Sequence, residues 1–497
     1  MSQTIAEPVD GEANGGLRRV LKARHVSMIA IGGAIGTGLF LASGATIAQA
    51  GPGGALLVYA VVGLMVYFLM TSLGEMATAM PVSGSFSTYG AMYVDPGYGF
   101  ALGWNYWYNW AITVAVDLVA AQLVMAYWFP DVPGWIWSAG FLTLTFSLNA
   151  LSTRVFGEAE YWFALIKVVT VIVFIGTGVL MLLGIIQGGE AGGWHNWTIG
   201  EAPFAGGFAA LVGVAMMVGF AFQGTELVGV AAGESENPRR TIPRAIRQVF
   251  WRILLFYILA ILVIGLLIPY TDPRLLRTGV NDVSISPFAL IFDQAGLLAA
   301  AAVMNAVVLT SVLSAGNSAM YASTRMLWSL ARDGMAPKLF LKVSSRGVPL
   351  AALIVTTIVA AMCFLTFLYS PQVVYIWLLN AAGMTGFISW LGIAVSHYRF
   401  RKGYVAQGQL LDELPYVSPY FPFGSLFAFT VRLAITLGQN YQAFLQEEID
   451  WAGVVATYLG IPLFLAIWLG YRVMRGGRIV KYSEMTFPIL RRKKADF

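Results

Sequence analysis

The chain has 497 residues, 58% of them hydrophobic and only 11% charged, where a soluble domain carries roughly a quarter charged residues. That balance excludes a water-soluble globular fold and points to one helical membrane bundle that grows by adding spans. The single cysteine, Cys363, excludes a disulfide framework and a thiolate metal site, and the net charge of +5 reflects topology rather than a nucleic-acid partner.

The polar segment from Met1 to Gly16 has no apolar core followed by a small-residue cleavage site, so it reads as a disordered cytoplasmic tail and not as a secretory signal. Stretches apolar enough to cross about 30 Å of hydrocarbon as helices follow at residues 26–49, 54–78, 98–128, 133–151, 161–186, 206–232, 250–269, 292–322, 350–370, 375–397, 421–439 and 452–471. The expected class is therefore an all-α membrane protein with twelve spans. It divides into a cytoplasmic tail (1–25), a five-helix unit (26–186), a second five-helix unit (206–397), two further helices (421–471) and a C-terminal tail (472–497).

Positive residues are retained on the cytoplasmic side. One set of alternate connections carries Arg18, Arg19, Lys22 and Arg24, then Arg154, then Arg239, Arg240, Arg244, Arg247 and Arg252. It continues with Arg325, Arg332, Lys338, Lys342 and Arg346, with Arg399, Arg401 and Lys402, and with eight in the C-terminal tail. The opposite set holds Arg274 and Arg277, so both termini are expected on the cytoplasmic side. The run Arg491, Arg492, Lys493 and Lys494 is explained by this topology, with contact to anionic membrane lipid as a lesser reading.

In chain order, the first chemical signal is in span 1, where Ile31, Gly32, Gly33, Ala34, Ile35, Gly36, Thr37, Gly38, Leu39 and Phe40 place four glycines in seven residues at mid-span. In span 3, Tyr106 and Trp110 lie four apart and share a helix face, suited either to walling the aliphatic stem of a long substrate or to an interfacial aromatic belt. Asp117 lies further along the same span. Span 5 carries Lys167, an intramembrane cation and hence a functional hypothesis by default.

Span 6 reads Gly219, Phe220, Ala221, Phe222, Gln223, Gly224, Thr225, Glu226, placing Gln, Gly and an acid where hydrocarbon should be. Matched interruptions in the first helix of each five-helix group indicate an inverted-repeat transporter with its site at the bilayer midplane. Unwinding exposes backbone N–H groups to a carboxylate and carbonyls to an ammonium, the two ends of an amino acid. The bland alternative is close packing of helices through small residues. Glu234, two turns beyond Glu226, suits an inner gate with the basic loop. In span 8, Ser311, Ser314, Ser318 and Tyr321 share one face and either line a pathway or join helices. In span 11, Arg432 reads as snorkelling or pairing at an interface.

At these residues the sequence resembles the amino acid transporter family of the amino acid, polyamine and organocation superfamily. The likeness is carried by IAIGGAIGTGLFLASG from Ile29, PVSGSFSTYG from Pro81, GWNYWYNW from Gly103, FALIKVVTVIVF from Phe163, GFAFQGTELVGVAAGESENP from Gly219 and SAGNSAMYASTRMLWSLARDGMAP from Ser314. Within the family, GWNYWYNWAITVAVDLVAAQLVMAYWFPD and NWTIGEAPFAGGFAALVGVAMMVGF are most like bacterial lysine-specific permeases.

The resemblance implies the leucine-transporter fold with a five-plus-five inverted repeat and discontinuous helices 1 and 6. It also implies uptake of L-lysine across a bacterial inner membrane by proton symport through alternating access, the proton being the coupling ion and no cofactor being needed. A broader cationic amino acid permease or exchanger of the same fold is the alternative. The substrate-binding set so implied is Ala34, Gly36, Thr37, Gly38, Tyr106, Trp110, Phe220, Gln223, Gly224 and Glu226, with Gly36, Thr37 and Gly38 in the unwound segment that receives the carboxylate. A Cβ at Gly36 or Gly38 is expected to crowd that segment.

Lys167 matches the lysine that, in proton-coupled relatives, stands where sodium-coupled relatives bind sodium; its alternative is a permanent bridge from span 5 to span 1 carbonyls and the span 8 serines. Glu226 and Asp117 are further proton-coupling candidates, Glu234 is the gate candidate, and Asp117, Glu226 and Glu234 are the candidate counter-charges for lysine. The partners implied are L-lysine and membrane lipid, without nucleic acid, and with an oligomeric state the sequence leaves open. An enzyme is disfavoured because His25, His195 and His397 lack metal-ligand spacing, and a passive channel because matched breaks suit an occluded site.

Overall fold

The computed structural model describes residues 16–33, 35–40, 42–186, 192–276, 286–297, 299–444 and 449–488. Most of the N-terminal tail, Ala34, the Thr37 side chain, Arg277 and the run from Arg491 to Lys494 lie outside the described residues. Among the described residues the architecture is helical, with one isolated parallel β-bridge between Leu21 and Ser235.

The first predicted span forms three pieces. Helix α1 (Ala23–Gly32) ends where Gly33 N donates to Ile29 O at 2.9 Å, α2 (Thr37–Phe40) restarts from the Gly36 carbonyl, and α3 (Ala42–Ala79) is interrupted at Gly51. Gly51 has φ +73°, open to glycine but strained for a residue with a Cβ, and Pro52 starts the next straight segment. Helix α4 (Ser85–Tyr93) leads to α5 (Pro96–Met125), whose start is set by Asp95 accepting from Gly97 N at 2.6 Å with Pro96 in the first turn. Helices α6 (Gly134–Leu151) and α7 (Thr153–Leu182) follow, the latter capped by Ser152 accepting from Val155 N at 3.2 Å.

The sixth predicted span is divided into α8 (Gly207–Ala221) and α9 (Leu227–Ala231). Beyond it, α10 (Pro238–Leu267) contains a π-helical stretch, Ile253–Ile258. The remaining helices are α11 (Pro287–Gln294), α12 (Ala300–Arg332), α13 (Leu350–Phe367), α14 (Pro371–Ala406), α15 (Phe423–Gly438), α16 (Trp451–Tyr458) and α17 (Gly460–Arg475).

Among the described residues six helices, α3, α5, α7, α10, α12 and α13, are long and apolar enough to cross a membrane, and α8 and α15 are shorter apolar helices. Burial orders them radially: the most apolar window of α5 is 83% buried, that of α7 only 28%. Helix α7 turns Ile166, Val169, Ile172 and Val173 outward while Lys167 is fully buried, the pattern of a peripheral helix whose solvent is lipid. Central α5 packs along α12 and α14, α1 packs on α7 and α10, and α15 lies against α14 and α3. The two interrupted helices therefore meet beside the most enclosed helix of the bundle.

Candidate functional site

Contact between the two breaks is made without side chains. Gly224 has φ +96°, and a Cβ built there would lie 2.8 Å from the Gly33 carbonyl oxygen. A Cβ at Gly38 would lie 2.4 Å from Ala221 Cα, so α2 and the end of α8 touch backbone to backbone. The expectation for Gly36 needs correction: a Cβ there meets no described atom within 4 Å, so the space beside it is open and packing does not demand glycine. Gly38 likewise sits within α2 rather than in the unwound stretch, since the Gly36 carbonyl already accepts from Leu39 N and Phe40 N at 3.2 Å. Phe220 and Gln223, at the end of α8, are half-buried, and Gln223 Nε2 donates to Asn109 Oδ1 at 3.4 Å.

Glu226 is buried and closes the second break on itself, accepting from Gly224 N at 3.2 Å. It also accepts from Trp390 Nε1 at 3.0 Å and the Tyr106 hydroxyl at 3.5 Å. Tyr106 and Trp110 are 0% and 4% exposed, too deep for an interfacial belt, and meet edge to face with centroids 5.8 Å apart. The Trp110 ring lies 3.6 Å from a Cβ built on Gly224, so α5 brings its aromatic face to the second break.

Lys167 donates to Gly32 O at 3.0 Å and to Ser314 Oγ at 2.9 Å, and Ser314 Oγ donates onward to Glu160 Oε1 at 2.5 Å. Lysine, serine and glutamate thus form one hydrogen-bonded line from the last residue of α1 through α12 and back to α7. Gly32 permits it: a Cβ there would fall 2.2 Å from Ala164 Cβ, so only glycine brings α1 this close to α7. Asp117 is buried, has an unpartnered Oδ2, and lies within electrostatic reach of Lys167. The span 8 stripe divides its tasks, Ser314 and Tyr321 joining helices while Ser311 bonds its own helix at Val307 O.

Glu234 ends the element after α9 and is fully buried with Arg325, Nε to Oε2 at 2.9 Å. The Tyr321 hydroxyl donates to the same carboxylate at 2.6 Å and Thr153 Oγ1 at 2.7 Å. Two helices, α7 and α12, therefore converge on one acid at the end of the bundle that carries Leu21, whose N–H donates to the backbone carbonyl of Glu234 at 3.0 Å.

The functional placement of two residues, Glu160 and Arg252, escapes the sequence reading. Glu160 is seven residues before Lys167, two helical turns on the same face, which is the signal that marks it. Arg252 belongs to no loop: it is 1% exposed, bonds Ala30 O, and donates to Thr225 Oγ1 at 2.7 Å, tying α1 to the second break. Its spacing from Ala245 and Val249 puts it on the buried stripe of α10.

Arg432 does not snorkel or pair. It is 1% exposed, none of its guanidinium nitrogens has a hydrogen-bond partner among the described residues, and it lies 3.2 Å from the Phe387 ring centroid and 5.2 Å from that of Trp390. A desolvated cation–π contact supplies about 2 kcal/mol, less than the several kcal/mol that burying the ion costs, so stability does not account for it.

The chain itself can be compared with known proteins. The amino acid permease family profile matches residues 25–483. The lysine-specific permease of Escherichia coli (strain K12) is 70% identical over 484 residues, 97% of this chain and 99% of that protein. A lysine-specific permease of Lactococcus lactis subsp. cremoris (strain MG1363) is 52% identical, covering 94% of this chain and 92% of the relative. The histidine permease of the same strain is 49% identical, covering 94% and 98%. Two interrupted helices meeting at glycines inside an apolar bundle thus occur in a sequence matched along nearly its whole length, and the chain belongs to the amino acid permease family.

Proposed function

We propose that the protein imports L-lysine by proton symport across a bacterial inner membrane, with both termini cytoplasmic, through twelve spans in the leucine-transporter arrangement. The six long apolar helices support that count, together with α1–α2, α6, α8–α9, α14, α15 and α16–α17 in the remaining predicted stretches. Lysine as substrate is favoured by the names of the two lysine-specific relatives. The single observation that carries proton coupling is the bond from Lys167 Nζ to Gly32 O, which joins the buried cation to the carbonyl where α1 stops.

The substrate α-carboxylate is received at Gly36, Thr37 and Gly38, the aliphatic stem runs along Tyr106 and Trp110, and Phe220, Gln223 and Gly224 complete the wall. Glu226, held by three donors, supplies negative charge at the second break. Alternating access hydrates Lys167 from one side and dries it toward the other, which lets its proton pass between the two faces. Ser314, Glu160 and Asp117 offer the acceptors that a departing proton requires. The two conformations drive lysine inward only where they bind the proton unequally.

The reading is tested by uptake of a panel of labelled amino acids into proteoliposomes, with and without an imposed proton gradient. Gradient-driven accumulation of lysine but not arginine or histidine is expected; exchange alone supports the broader exchanger. In the same assay Glu226→Gln is expected to raise the lysine KM roughly 10–100-fold, the range for losing a charged hydrogen-bond partner. Normal lysine transport by that variant would move the counter-charge to Asp117.

The Glu234–Arg325 pair acts in this scheme as the inner gate. Arg325→Met leaves a buried carboxylate without its cation, at a cost of about 3–5 kcal/mol to the closed form. A cysteine at Ala232, buried in that cluster, is expected to react faster with a maleimide in the Arg325→Met variant, both in a Cys363→Ala background. Equal labelling rates would remove the gate role.

A further inference from the structure

Helix α15 lies outside both five-helix units, yet it sends one cation into the bundle. Arg432 has no carboxylate, carbonyl or hydroxyl on any of its guanidinium nitrogens among the described residues, so neither an ion pair nor a helix-joining hydrogen bond explains its burial. Its surroundings are nonetheless shaped to it. Phe387 and Trp390, three apart and therefore on one face of α14, present their rings to the guanidinium. On the opposing α8 a Cβ at Gly219 would stand 2.9 Å from Arg432 Nη1, so the position is kept clear by glycine. An aromatic floor and a side-chain-free ceiling make a built seat for a planar cation.

The seat connects to the candidate site in one step, because the indole whose ring faces Arg432 is the one whose Nε1 donates to Glu226 Oε2 at 3.0 Å. A cation over an indole draws electron density toward itself and strengthens the N–H as a donor, while stacking restricts the ring to one orientation. We propose that Arg432 is a positioning residue for substrate binding: by clamping Trp390 it fixes the hydrogen bond that aims Glu226 at the second helix break. The proposal rests on the reading that Glu226 meets the substrate.

The test is lysine uptake by the full-length protein in proteoliposomes, resolved into KM and kcat, with melting temperature followed alongside. Arg432→Met removes the cation, Trp390→Phe keeps a ring but removes the N–H, and the double variant combines them. Each single change is expected to raise KM by about tenfold with kcat changed less than about twofold, and the double variant to be no worse than Trp390→Phe, since both cut the same chain. Arg432→Lys, which keeps the charge, is expected to recover part of the loss.

An unchanged KM in Arg432→Met, or effects that multiply in the double variant, would overturn the proposal. Should Arg432→Met not fold, Gly219→Ala displaces the guanidinium without deleting it, and an unaltered KM there overturns the proposal equally. Glu226→Gln separates the two readings: if it leaves KM unchanged, the role of Glu226 fails. If it raises KM while Arg432→Met does not, only the clamp fails.

Discussion

Lys167→Ala is expected to lose proton-driven lysine accumulation completely, the internal-to-external ratio falling to unity in proteoliposomes that still bind lysine. The variant removes three things at once: the donor on Gly32 O, the donor on Ser314 Oγ, and the cation facing Glu160 and Asp117. Without the ammonium the hydrogen-bonded line from Gly32 O to Glu160 is cut, and the proposed scheme loses the group whose charge alternates. Binding is a separate matter, because Gly32 O still accepts from Ile35 N at 3.1 Å without the lysine. The deciding measurement is proton flux per lysine in a variant shown to be folded by thermal shift. Undiminished gradient-driven accumulation would take Lys167 out of the mechanism and shift the proton to Glu226 or Asp117.

Gly38→Val is expected to abolish lysine binding, whereas Gly36→Ala is expected to retain it within about fivefold. The contrast follows from the backbone alone. Any Cβ at Gly38 falls 2.4 Å from Ala221 Cα, an approach that only displacement of α2 from α8 relieves, and a branched side chain widens that displacement. At Gly36 the added methyl has room, and its φ lies in the ordinary range. Lysine-dependent thermal stabilisation reads both variants without requiring transport. Stabilisation retained in Gly38→Val would show that the contact of α2 with α8 is dispensable for the site.

Both breaks were legible in the sequence because glycine at mid-span has few uses, and the polar run from Gln223 to Glu226 has fewer. The aromatic face of α5 and the buried lysine of α7 were legible from helical spacing and from the cost of charge in hydrocarbon. What escaped were partners lying on another helix or at an apparent span end. Glu160 sits just before the apolar stretch 161–186, and its bond to Ser314 crosses 154 residues of sequence. Arg252 was read with the cytoplasmic arginines because it ends a basic stretch, although the buried stripe of α10 includes it. Arg432 was assigned to an interface because a lone arginine ordinarily snorkels; its seat is composed of Phe387, Trp390 and Gly219, residues with no sequence proximity to it.

The bridge between Leu21 and Ser235 gives the Glu234 end of the bundle a built-in clock. Leu21 N donates to Glu234 O and Glu236 N donates to Leu21 O, each at 3.0 Å, so the segment before α1 and the segment after α9 are laced by two amides. In the proposed alternating-access scheme both amides are released when the two half-helices part at that end. Their deuterium uptake is then expected to count openings of the carrier rather than global unfolding, and to slow in proportion to the fraction of time that bound substrate keeps this end shut.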